Sequence, residues 1–284
     1  MSYSCAWQTQ AESGTGRMEN LNKPVIGVAA LVVVIAAGGW YYLRHRNTAP
    51  PTPAPAAAPV VARAASDEIA IQHPLPTTAG ADVSGPVPSL ADSDAAFRDA
   101  LTRITGADAV SGYVRPDAII RNLVVTIDNL PRQKVAVEKR PIKATTGSFL
   151  ADGDELHATL DRRNFDRYKP PVAVVSSLDM AKVAQIYTHF YPLFQEAYQN
   201  LGYPNGYFND RLVQVIDVLL ATPQVSGPIE LVQPNVMYTF ADPALEARPA
   251  GQKLLIRMGP ENAAAIKSKL MELRALITAA PPKH

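Results

Sequence analysis

Cysteine is almost missing from this chain. Cys5 is the only one in 284 residues, and it lies in the first few positions. A single thiol excludes an intrachain disulfide and a thiolate-rich metal site, so any folded domain must be stable from its core alone. No Leu-x-x-Cys arrangement surrounds Cys5, which argues against lipid attachment there. A charge excess is missing as well: 27 Lys and Arg stand against 26 Asp and Glu. A nucleic-acid partner calls for a basic excess to meet phosphates, so none is expected. Histidine is scarce, and His157 and His189 are the internal ones in the C-terminal part. An isolated His is more often structural than a ligand, so no metal site and no cofactor are expected. The chain has no G-x-S-x-G elbow, no H-E-x-x-H, no P-loop and no G-x-G-x-x-G.

What stands out instead is a run of nineteen residues, Val25 to Leu43, without a formal charge. As a helix rising about 1.5 Å per residue it covers roughly 28 Å, close to the hydrocarbon thickness of a bilayer. Trp40, Tyr41 and Tyr42 suit the membrane interface. The run is expected to be an uncleaved single-pass anchor. It is longer than a usual signal-peptide core, although Ala36 and Gly38 offer small residues at cleavage spacing. Arg17 and Lys23 precede it and Arg44 and Arg46 follow it, so positive charge alone leaves orientation undecided. Met18 offers a second plausible start, which would make the first seventeen residues an extension.

The expected organisation is a short tail (1–24), a transmembrane helix (25–43), a linker (44–90) and one folded domain (91–280). The linker carries Pro50, Pro51, Pro53, Pro55, Pro59, Pro74, Pro76, Pro86 and Pro88 among alanines. Proline removes donors and fixes φ, which predicts a disordered, polyproline-like tether. Ile69-Ala70-Ile71 is an apolar island within it that is expected to dock locally.

The domain reads as mainly α, a helical bundle with one or two short β-hairpins. Ser93 and Asp94 suit a cap for a helix bearing Phe97, Leu101 and Ile104. Pro116 suits the first turn of a helix bearing Ile119, Ile120, Leu123 and Ile127. Lys134–Val137 alternates like a strand. Asp152-Gly153 marks a hairpin between 148–150 and 156–160. Short helical turns are expected over 164–175. Asp179 caps a helix to Asn200 with Pro192 inside it, and Tyr207 to Thr222 forms the next. Segments 229–232 and 236–240 read as extended. An interrupted helix is expected over 243–258, and a clear amphipathic one over 261–277.

Chemistry is sparse. Asp152-Gly153-Asp154-Glu155 opens like a calcium loop but lacks its later ligands, so a hairpin turn explains it better. The unusual feature is aromatic: eight Tyr and Phe between Tyr187 and Phe208. Tyr187, Tyr191, Tyr198 and Tyr207, with Asp210 and Arg211, are the candidate ligand-binding residues for a glycan or peptide. The competing reading is a core stripe, which helical spacing favours. Glu196 and Asp210 are general acid or base candidates, and an Asp210 pairing with Arg248 or Arg257 fits equally. No catalytic residue is assigned.

Long stretches carry a resemblance. DRRNFDRY (161–168), FYPLF (190–194), LGYPNGYFNDRL (201–212), PIELVQP (228–234), YTFADP (238–243) and GQKLLIRMGPEN (251–262) resemble the bacterial domain of unknown function 3014 family. The resemblance covers about two thirds of the chain. It implies a Gram-negative envelope protein with its domain outside the cytoplasm, and it brings no activity, cofactor or catalytic residue. With the anchor, the expected location is the inner membrane with the domain in the periplasm. The expected role is a membrane-anchored binding or scaffolding domain with an envelope protein or glycan as partner. The alternative is an envelope hydrolase or lyase acting on peptidoglycan or peptide through a tyrosine-rich cleft.

Overall fold

The computed structural model describes residues 70–76, 85–154 and 157–278. The proposed anchor (25–43) and most of the linker lie outside the described residues. Among those described, no helix is long and apolar enough to cross a membrane.

Two long helices organise the domain. α6 (Met180–Asn200) is capped by Asp179, whose carboxylate accepts from Ala181 N at 2.9 Å and Lys182 N at 3.4 Å. Pro192 sits inside it. α10 (Pro260–Thr278) packs against α6, and buries Ile266, Leu270, Leu273 and Ile277. Around this pair lie α1 (Ser93–Thr105), α2 (Ala107–Tyr113), α3 (Ile119–Asn129), α4 (Arg163–Asp166), α5 (Lys169–Ser176), α7 (Phe208–Leu220), α8 (Pro243–Glu246) and α9 (Ala250–Arg257). α3 crosses α6 and α7, while α5, α7 and α9 pack on α10. Phe97 on α1 meets Phe190 and Phe194 edge-on, with ring centres 5.2 and 5.8 Å apart. Such aromatic pairs add to the hydrophobic stabilisation of a buried core.

The β structure is one sheet rather than separate hairpins. β1 (Ala151–Asp152), β2 (Ala158–Leu160), β3 (Glu230–Val232) and β4 (Thr239–Phe240) pair antiparallel in that order. The register sets Ala158 opposite Leu231, and Leu231 opposite Phe240. Ala158, Leu160, Leu231, Phe240 and Ile256 form a small second core beneath the sheet.

Several sequence expectations are corrected. Lys134–Val137 is not a strand; Val137–Lys139 forms a 3-10 turn. Pro116 lies ahead of α3 rather than in its first turn, because Ala118 turns left-handed at φ 50°. Asp94 does not cap its own helix: its carboxylate accepts from Ala118 N at 2.6 Å and Ile119 N at 2.7 Å and so caps α3. α2 was not anticipated; its seven residues are too short for a periodic pattern. Pro170 and Pro171 begin α5 instead of interrupting it, as proline suits a first helical turn.

Candidate functional site

The tyrosine stripe of α6 turns inward. Tyr187 and Tyr198 are buried, and Tyr191 is half-buried. Tyr187 stacks edge-on with Tyr191 and Phe194, and Tyr198 lies flat on Tyr203 with centres 4.6 Å apart. Burial is the main cause that raises the Tyr187 and Tyr191 phenols well above the usual tyrosine range. Of these rings, Tyr187 and Phe194 border an apolar cavity of about 140 Å³ with Phe97 and Leu123. The tyrosines form a wall of the core, and their hydroxyls organise what sits at its edge.

That edge carries the start of α7. Gln195 fixes it: its Oε1 accepts from Phe208 N at 2.9 Å, and its Nε2 donates to the Gly206 carbonyl at 2.7 Å. Gly206 permits the close approach, since a Cβ there would stand 2.7 Å from the Tyr198 ring. Asn209 is fully buried. Tyr187 donates its hydroxyl to Asn209 Oδ1 at 3.1 Å. Asn209 N in turn donates to the Tyr191 hydroxyl at 3.3 Å. The Asn209 amide is thereby held in one orientation, and its Nδ2 donates to the Ile277 carbonyl at 3.1 Å and to the His73 carbonyl at 2.9 Å.

His73 belongs to the linker. Residues 70–76 lie against the face formed by Tyr207, Asn209 and Asp210. The Asp210 carboxylate accepts from two successive backbone groups, Gln72 N at 3.0 Å and His73 N at 2.6 Å. The Tyr207 hydroxyl accepts from Leu75 N at 3.1 Å. Leu75 packs on the main core and Pro76 is buried. The proline spacing explains why this works. Pro74 and Pro76 have no N–H, so the donors of Gln72, His73 and Leu75 are all that the strap from 72 to 76 offers, and all three are met. The expected docking of Ile69-Ala70-Ile71 is corrected: Ile69 lies outside the described residues, Ala70 and Ile71 are exposed, and the strap docks instead through Gln72–Pro76.

The other predicted residues go elsewhere. Asp210 pairs with neither Arg248 nor Arg257. Arg211 Nε donates to the buried Asp128 carboxylate at 2.9 Å, and its Nη2 to the Asp128 carbonyl at 2.7 Å. Arg132 Nη2 meets the same carboxylate at 2.6 Å and the Tyr203 hydroxyl at 2.8 Å. This network ties the end of α3 to α7, so Arg211 and Tyr198 support the framework and do not touch the strap. Glu196 is exposed on α6. Asp210 gives both oxygens to backbone donors of the strap. Among the described residues, no group of three or more His, Cys, Asp or Glu could hold a metal ion.

Asn209 and Gln195 are the residues that sequence reasoning underweighted. Their signal was present: an Asn directly before Asp210 at a helix start, and a Gln among aromatics on an inward face, where an amide must find partners.

A family model described as protein of unknown function (DUF3014) matches residues 119–274, more than half of the chain. No curated protein and no solved structure matches it.

Proposed function

Because the chain belongs to the DUF3014 family of proteins of unknown function, a family that carries no assigned chemistry, we propose from the site alone that it is a membrane-tethered binding or scaffolding module of the bacterial envelope. Its domain grips extended peptide segments through their backbone. The observation behind this reading is the strap: Asp210, Tyr207 and Asn209 take the N–H and C=O groups of Gln72–Leu75, not their side chains. Recognition of that kind suits any extended, proline-spaced segment whose free donors fall where Asp210 and Tyr207 accept them.

The tether follows from the uncharged run at 25–43 and the proline-rich stretch after it. Together they support a domain held beside an inner membrane, and the family resemblance supports a position outside the cytoplasm, in the periplasm. The partner would be an envelope protein. Near-neutral charge supports no nucleic-acid role.

Two readouts test the proposal. A C-terminal alkaline phosphatase fusion should be active, as that enzyme needs the periplasm; an inactive fusion overturns the placement. Full-length protein purified from membranes should bring partner proteins with it. A Tyr207→Phe/Asp210→Ala chain of equal abundance should lose them. Identical partner sets from both chains would overturn the binding role of this face.

A further inference from the structure

A second site lies between the sheet and the last two helices. It is a cleft of about 870 Å³. Small-molecule sites fall in the range of roughly 300–1,000 Å³. β2 and α4 form one wall, the 222–229 loop another, and one face of α10 the floor. Ala263 and Ala264 keep that floor low, and Leu160 and Phe165 make the wall apolar. Gly259 lets Phe165 pack close to the same floor: a Cβ there would stand 2.6 Å from the Phe165 ring.

Asp152, Asp161 and Arg162 line the cleft with Lys267, and Arg163 stands beside it as the partner of Asp161. Asp161 accepts from Arg163 N at 2.8 Å and Arg163 Nε at 2.7 Å, which makes one neutral pair. Asp152 and Arg162 line it with one charge of each sign. Lys267 is left over. Its Nζ donates to the Thr222 carbonyl just past the end of α7, and among the described residues it has no ion-pair partner. An ammonium has three donors, so the carbonyl accounts for only one. Burial pushes Lys267 below the usual lysine range, as expected of a cation lacking a neighbouring anion.

We propose that this cleft binds a small monoanionic carboxylate with an apolar body. The carboxylate sits on Lys267 Nζ, and the body lies against Leu160, Phe165 and the alanine floor. One uncompensated ammonium matches one negative charge; a doubly charged phosphate would call for further cations. The cap on Thr222 gives Lys267 a structural task and uses one of its three donors, so two face the cleft or solvent.

The test uses the full-length chain and two probes that differ in charge, 4-(trifluoromethyl)phenylacetate and its primary amide, each titrated by ¹⁹F NMR. The carboxylate should bind at least about tenfold tighter than the amide, the scale of one charge-assisted hydrogen bond. Lys267→Met should bring the carboxylate down to the amide's affinity. Ala264→Leu, at an exposed position of the floor, should weaken both probes and serves where Lys267→Met fails to fold. Equal affinity of the two probes, absence of binding by both, or a carboxylate preference that survives Lys267→Met would overturn the proposal.

Discussion

Replacing Asp210 with alanine should free the strap without unfolding the domain. In the wild-type chain the carboxylate holds Gln72 N at 3.0 Å and His73 N at 2.6 Å. A hydrogen bond to a charged acceptor contributes about 1.5–3 kcal/mol net. The Gln72 bond is solvent-exposed, so both are taken at the low end, giving a loss of about 3 kcal/mol. What remains is the Tyr207 bond, the Asn209 bond and the packing of Leu75 and Pro76. Against these stands the ordering of the backbone, at about 1–2 kcal/mol per residue. Docking is therefore a small difference, and losing about 3 kcal/mol shifts it roughly a hundredfold toward the free strap. Hydrogen exchange reads this directly, because Gln72, His73 and Leu75 carry the strap's amides and the prolines carry none. All three should be protected in the wild type and exchange near random-coil rates in Asp210→Ala. Amides of α6 and α10 should not change. Unchanged protection at Gln72 and His73 in the variant, or loss that spreads into α6, would refute the reasoning.

Three further outcomes follow from the framework. Asp128→Ala leaves Arg211 without its buried partner, and breaking such a pair costs about 3–5 kcal/mol, measurable by urea denaturation. Gly259→Ala should cost about 2–4 kcal/mol, since Gly259 sits at φ +89° and the added Cβ would meet the Phe165 ring at 2.6 Å; an unchanged midpoint would contradict this. Tyr168, Tyr187 and Tyr191 have their phenols raised by burial. Their contribution to stability is whole below the unfolded value of about pH 10 and is lost as pH rises past it, because the unfolded chain then releases protons the folded chain keeps. Tyrosinate absorbance from these three should appear only together with alkaline unfolding.

The helices with long apolar stripes were legible in the sequence, α6, α7 and α10 above all, because burial repeats with the helical period. The interruption at Pro249 was legible too, as the break between α8 and α9 shows, whereas Gly251, also expected to interrupt, lies within α9. Short elements were less so: β4 has two residues and α2 seven, and their placement rests on neighbours distant in sequence. The join of two hairpins into one sheet depends on β2 meeting β3 about seventy positions later, which no local pattern encodes. At the site, Tyr207 and Asp210 were identifiable by residue type, but their target was not. That target is a linker segment more than 130 positions away. Arg211 looked like a rim cation and instead neutralises Asp128, a pairing set by how α3 crosses α7.

The claim that the Tyr207–Asn209–Asp210 face grips extended backbone is tested most directly by binding in trans. A full-length chain with Gln72–Leu75 replaced by Gly-Ser-Gly-Ser is titrated, by fluorescence polarisation, with a labelled peptide of residues 69–77. Saturable binding is expected. The wild-type chain should bind the same peptide at least about tenfold more weakly, because its own strap competes at an effective concentration on the order of millimolar. Adding Asp210→Ala to the strap-replaced chain should abolish binding. No binding by the strap-replaced chain, or binding that survives Asp210→Ala, would contradict the account.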